Sequence, residues 1–156
     1  MAYAAYSQRK QARLTAACDE LLPVRETSDD DGYTSLAIDL DKYSVTLYWR
    51  GPVPSRVQEA AERVRRSGIT VHVMSARYSL VELQAAVDAV ISDERRRSVP
   101  QGLRCISFSP AVDGSGVDIV TGSLDDELVE ARRHATAVPL HMTLGEPPVA
   151  LSGSLK

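Results

Sequence analysis

Residues 45–79 read VTLYWRGPVPSRVQEAAERVRRSGITVHVMSARYS, and the reading of this stretch decides the fold. Val45, Leu47 and Trp49 alternate with Thr46 and Tyr48, the period-two pattern of a strand with one apolar face. Gly51, Pro52 and Pro54 end that strand, since proline has no N–H for a ladder. In the following segment Val57, Ala60, Ala61 and Val64 recur at i, i+3, i+4 and i+7, which predicts an amphipathic helix. Its outer face offers Glu59 with Arg63 and Glu62 with Arg66 as i, i+4 pairs, so its arginines read as a solvated face rather than a phosphate site. Ser55 is the expected N-cap with Gln58 completing a capping box, and Gly68 is the expected C-terminal stop. Ile69, Val71 and Val73 then alternate with Thr70, His72 and Met74 as a second strand. The helix between the two strands is a crossover, which permits parallel pairing. Ser79 and Glu82 form another capping box, and Leu80, Leu83, Val87, Val90 and Ile91 carry that next helix to Ser92.

Outward from this stretch, Leu14, Ala17, Cys18 and Leu21 give residues 1–22 a helical stripe, with Arg9, Lys10 and Arg13 toward its start. Residues 23–32 read as an acidic linker, and Leu36, Ile38 and Leu40 pair as a hairpin with the strand from Val45. Asp29, Asp30 and Asp31 lie in that linker without the alternating ligand spacing of a cation loop. Residues 93–102 form a charged loop, and residues 103–109 and 117–121 a second hairpin whose turn contains Asp113, Gly114, Ser115 and Gly116. That DGSG turn reads as a hairpin connection and not as a nucleophile loop. Ser123 is the expected cap of a helix buried through Leu124, Leu128, Ala131 and Ala135, and a strand over residues 138–143 follows. Residues 147–156, punctuated by proline and glycine, read as a flexible tail.

The stretch VDIVTGSLDDELVEARRHATAVPLHMTLGE, residues 117–146, repeats the order strand, helix, strand and places His141 where His72 stands in the first copy. The expected fold is therefore α/β (α+β): two ββαβ units related by internal duplication, a mixed sheet covered by helices, and an extra N-terminal helix. Residues 33–92 hold the first unit and its linking helix, and residues 103–146 the second.

Composition narrows the function classes. A chain of 156 residues with 44% hydrophobic and 25% charged residues is the size of one domain or two small lobes. Its net charge of −3 provides no general attraction to nucleic acid or to an anionic membrane, and neither is an expected partner. Only 5% of residues are aromatic, so the core rests on Val, Leu, Ile and Ala. No apolar run has the length of a membrane span and the N-terminus lacks a signal-type stretch, which makes the cytoplasm the default compartment, or the exterior if the chain is processed. Cys18 and Cys105 read as small buried hydrophobes, with a disulfide as the alternative in an oxidising compartment.

Of the chemistry-bearing residues, His72 and His141 alone form a matched set. Neither has a carboxylate or cysteine at a short fixed offset, so a structural role, a metal site and a general base all stay open. The motifs of serine hydrolases, zinc proteases, P-loops and dinucleotide sites are missing from the sequence, and no metal or cofactor is expected.

The combination LYWRGPVPSRVQEAAERVRRSGITVHVMSARYSLVELQAAVD, residues 47–88, followed by DGSGVDIVTG, residues 113–122, resembles the pro-region modules that precede alpha-lytic and other chymotrypsin-like serine proteases of actinobacteria, or their free-standing relatives. The likeness spans residues 33–146. It implies a small α/β module that binds a partner protease in trans, as a folding chaperone or as an inhibitor whose C-terminal tail occupies the active-site cleft. The protease's His, Asp and Ser set has no counterpart in residues 1–156, and a protease domain is not expected here, so no catalytic role is expected to carry over. The expected function is non-catalytic protein binding. Its contacts are the tail Gly145, Glu146, Pro147, Pro148, Val149, Ala150 and Leu151, and an exposed edge at Trp49 and Arg50. Two alternatives remain: a small enzyme using His72 and His141 in a pocket, and a self-associating domain that forms a homodimer.

Overall fold

The N-terminal stripe forms helix α1 (Ala2–Leu21) in the computed structural model, which describes residues 2–22 and 32–145. Strands β1 (Tyr33–Asp39) and β2 (Ser44–Arg50) pair antiparallel, with Ile38 opposite Val45 and Leu36 opposite Leu47. Helix α2 (Ser55–Arg66) crosses over to β3 (Thr70–Ala76), which lies parallel to β2 with Val71 opposite Val45 and Val73 opposite Leu47. The apolar face of this sheet is the one the helices cover. Leu14, Ala17, Cys18 and Leu21 of α1 and Ala60, Ala61 and Val64 of α2 pack with Val45, Ile69 and Val71. A second cluster joins Tyr33, Leu47, Trp49 and Val57. Each fully buried Val or Leu contributes about 1.5–3 kcal/mol, which offsets part of the conformational entropy lost on folding.

The order then repeats. Helix α3 (Leu80–Arg96) leads to β4 (Cys105–Pro110) and β5 (Val117–Thr121), which are antiparallel. Helix α4 (Asp126–Ala135) crosses to β6 (Leu140–Leu144), parallel to β5. The mixed sheet of the sequence reading thus occurs twice, as β1-β2-β3 and as β4-β5-β6. The duplication extends to register. Thr46 faces His72 in the first sheet and Asp118 faces His141 in the second. Each hairpin also shifts register at the same place, between Tyr33 and Ser35 and between Cys105 and Ser107.

The chain divides into two compact units, Met1–Leu83 with Ala111–Ser115, and Gln84–Pro110 with Gly116–Lys156. Residues 111–115 are the tip of the β4–β5 hairpin. Within the first unit the Tyr78 N–H donates to the Gly114 carbonyl at 3.1 Å, and the Ser35 hydroxyl donates to the Val112 carbonyl. Gly114 has φ +70, and a Cβ there would lie 2.7 Å from the Ala76 Cβ and 2.8 Å from the Thr34 Cγ2, so both backbone and space demand glycine.

Several local expectations change. Ser55 is the first residue of α2 and not its cap. Pro54 is the N-cap, and its carbonyl accepts from the N–H groups of Val57 and Gln58 at 3.0 and 3.1 Å. A capping box cannot close on proline, which has no N–H to donate, and the Gln58 amide donates to the Val53 carbonyl instead. The cap of α4 is Asp125 rather than Ser123: its carboxylate accepts from Glu127 and Leu128 N–H, while the Ser123 hydroxyl accepts from Asp125 N–H. Leu124 therefore precedes the helix and is exposed. At Ser79 the capping box forms as read, with the Glu82 carboxylate accepting from the Ser79 N–H at 2.8 Å. The expected i, i+4 pairs on α2 are replaced: Arg63 reaches Glu20 of α1, and Arg65 turns back to Glu62. Helix α3 also runs past Ser92 to Arg96, because Asp93 and Glu94 are buried and paired rather than solvated.

Candidate functional site

Strand β2 is paired on both sides, which places its side chains differently from the sequence reading. Trp49 is only 2% exposed and belongs to the core with Tyr33, Leu47 and Val57, so it does not present an exposed edge. Arg50 is exposed and pairs with Glu82 at 3.2 Å, joining the end of β2 to the capping box of α3. Of the tail residues expected to touch a partner, Gly145 is described; Glu146, Pro147, Pro148, Val149, Ala150 and Leu151 lie outside the described residues, as does most of the acidic linker.

The two histidines occupy equivalent positions on the outward faces of their own sheets. His72 is exposed on β3 and has no hydrogen-bond or ion-pair partner among the described residues. His141 Nδ1 lies 3.0 Å from Asp118 Oδ1 across the β5–β6 pair, with both side chains about half exposed. The second copy thus holds a solvated Asp–His pair where the first has Thr46 beside His72. Asp118 escaped the sequence reading because it is 23 residues from His141; the strand overlay carried the only signal for it. Among the described residues no three His, Cys, Asp or Glu side chains gather as a metal-binding set.

The buried charges of the second unit have a different arrangement. Arg132, 1% exposed on α4, donates from Nε to Glu94 Oε1 of α3 at 2.8 Å. Its remaining donors reach the carbonyls of Leu103 at 2.6 Å and Ser123 at 3.3 Å. Glu94 also accepts from the Cys105 N–H at 3.3 Å and from the Cys105 thiol at 3.0 Å. Burial, then the hydrogen bond to Glu94, pushes the Cys105 thiol up to about 12, and the nearby Arg132 charge opposes this shift. A thiol so held stays protonated and is a poor nucleophile. Cys105 is therefore a partner in a polar network rather than a plain buried hydrophobe. Cys18 is buried on α1, and burial followed by the charge of Asp19 raises its pKa. Both cysteines are free thiols. The sequence reading missed Arg132 because a charged side chain on a helix is ordinarily solvated.

Strand β6 has the geometry that suits a partner. It is an edge of its sheet. The Pro139 carbonyl accepts from Val117 N–H and the Gly145 N–H donates to the Thr121 carbonyl, both toward β5. Alternation along a strand then turns the N–H and C=O groups of Leu140, Met142 and Leu144 to the free side. Leu144 itself is 64% exposed. In the first sheet the corresponding edge is blunted: Arg65 donates from Nε and Nη2 to the outward Val71 carbonyl of β3 at 3.1 and 2.7 Å. Among the described residues no side chain hydrogen-bonds to the outward groups of β6. A separate groove of the second unit is floored by Val99, Leu103, Leu128 and Ala131 and rimmed by Arg97 and Asp125. Neither histidine lines it.

These observations define the class of the molecule as an α+β protein of two ββαβ units, each with its own mixed three-stranded sheet. Comparison with the models of known protein families gives no match, and comparison with curated proteins gives none either.

Proposed function

We propose that this chain is a non-catalytic protein-binding module that accepts an extended partner segment along the free edge of β6. The carrying observation is that edge: three residues with outward N–H and C=O groups and an exposed Leu144, in a molecule whose equivalent β3 edge is capped by Arg65. Unpaired strand edges template the addition of another strand, and natural proteins blunt the ones they do not use. The partner that the likeness to protease pro-regions suggests is a chymotrypsin-like serine protease, with the chain acting in trans as folding chaperone or inhibitor. The same likeness makes residues 145–151, which follow β6 in the sequence, the second candidate contact.

The test is inhibition and assisted refolding of an actinobacterial chymotrypsin-like protease by the purified chain. Leu144→Pro removes an outward N–H at an exposed side chain, leaves the β5 ladder in place, and is expected to weaken the effect at least about tenfold. Truncation after Gly145 is expected to weaken inhibition further. Unchanged potency of Leu144→Pro would refute strand addition, and failure of the parent chain to inhibit or refold the enzyme would refute the protease as partner. A dimer of the chain alone, seen by light scattering and lost in Leu144→Pro, would instead assign the edge to a second copy.

A further inference from the structure

Helix α1 places Arg9, Lys10 and Arg13 along one side of a groove in the first unit, and Tyr43 of the β1–β2 turn lines it with them. The groove encloses about 460 Å³, within the range of small-ligand sites. Among the described residues none of the three cations pairs with a carboxylate. Lys10 donates to the Asp41 carbonyl at 3.4 Å and Arg13 to the Ser67 carbonyl at 2.6 Å, contacts that aim both side chains without neutralising them. Asp39, the acid at the end of β1, is committed elsewhere, to the N–H and ammonium of Lys42.

Tyr43 has two properties that a turn residue does not need. Its φ is +52, the left-handed region that glycine or asparagine adopts with least strain and that a bulky side chain adopts at a cost of about 1–2 kcal/mol. Its hydroxyl is buried and has no hydrogen-bond partner among the described residues. The strained conformation sets the ring beneath the cations, 5.4 Å from Lys10 Nζ and 5.6 Å from Arg13 Cζ. An aromatic platform beneath two cations, with a third cation lining the same groove, concentrates positive charge at one place in an acidic protein.

We propose that this groove binds a small diphosphate-bearing anion. Guanidinium forks match phosphoryl oxygens, and the ammonium of Lys10 adds a compact charge between them. A phosphomonoester carries about −1.5 to −2 charges at neutral pH, short of three cations, whereas a diphosphate comes close to balancing them. The site lies in the first unit and the β6 edge in the second, so the two proposals stand independently.

The experiment is calorimetric titration of the full chain with inorganic pyrophosphate, with orthophosphate and a glutamate-rich peptide as parallel arms, and with the Tyr43 ring resonances followed by NMR. Expected are one-to-one pyrophosphate binding in the micromolar range, weaker orthophosphate binding, and shifts of the Tyr43 ring. Arg9→Ala combined with Lys10→Ala is expected to weaken pyrophosphate binding at least about tenfold while the urea midpoint stays in place, since Arg9 is exposed and neither side chain belongs to the core. Undiminished binding in that variant would overturn the proposal. So would absence of saturable pyrophosphate binding, or tighter binding of the acidic peptide, which would make the groove a protein-docking surface.

Discussion

Removing Glu94 tests whether the second unit is held together through its buried ion pair. Arg132 and Glu94 are 2% and 9% exposed at their side chains and 2.8 Å apart, so each charge is largely withdrawn from water. Glu94→Gln keeps the shape and the hydrogen-bond acceptor but leaves the Arg132 guanidinium as an uncompensated buried charge, which costs about 3–5 kcal/mol. Arg132→Met belongs in the same range, because it strands the Glu94 carboxylate and removes the donors to the Leu103 and Ser123 carbonyls. Replacing both, with Glu94→Leu and Arg132→Met, is expected to cost less than the sum, since no buried charge is left uncompensated and what remains is the loss of partners for the Leu103 and Ser123 carbonyls and the Cys105 N–H. With a urea slope of about 2 kcal/mol per molar, each single change moves the midpoint by about 2 M. The two units need separate probes. Trp49, the single tryptophan, reports the first by fluorescence, and the rate of Cys105 labelling, read by mass spectrometry, reports the second. The expected result is early labelling of Cys105 in both single variants and more protection in the double variant than the two single losses together would leave. Single losses below about 1 kcal/mol, or strictly additive losses, would refute the claim that the pair is coupled and buried.

The thiol beside that pair predicts a pH dependence. Folding raises the Cys105 pKa to about 12 from an unfolded value near 8.5, so above about pH 8.5 the unfolded chain releases a proton that the folded chain retains. Stability is expected to fall as pH rises from there toward 12, and denaturant midpoints measured across that window should show a slope that Cys105→Ala flattens. A further prediction separates the helix caps. Asp125→Ala removes two side-chain to backbone hydrogen bonds and is expected to cost about 1 kcal/mol in thermal or urea unfolding, whereas Ser55→Ala, which removes no cap bond, is expected to cost no more than about 0.5 kcal/mol.

Much of the scaffold was legible because its signals are local. Val45, Leu47 and Trp49 alternate, Val57 to Val64 follow a helical period, and Ser79 with Glu82 has the spacing of a capping box; each pattern is dictated by backbone geometry within a few residues. Caps were legible only in part. The choice between Ser55 and Pro54, or between Ser123 and Asp125, turns on where the chain enters the helix, a matter of one or two residues that several oxygen-bearing side chains would satisfy. Trp49 shows the opposite limit: a strand's pattern says that one face is apolar, but whether the strand is central or an edge depends on the order of pairing.

The amino-acid sequence alone determined the elements, their order and their duplication, because hydrophobic period, turn residues and crossover length act over short distances along the chain. Tertiary structure alone decided which polar groups meet. Asp118 reaches His141 through parallel strand register, Arg132 reaches Glu94 across 38 residues, and Tyr43 comes to lie beneath Lys10 and Arg13 through the packing of α1 on the first sheet. Such encounters follow from packing between elements distant in sequence, and no periodicity within either partner segment encodes them.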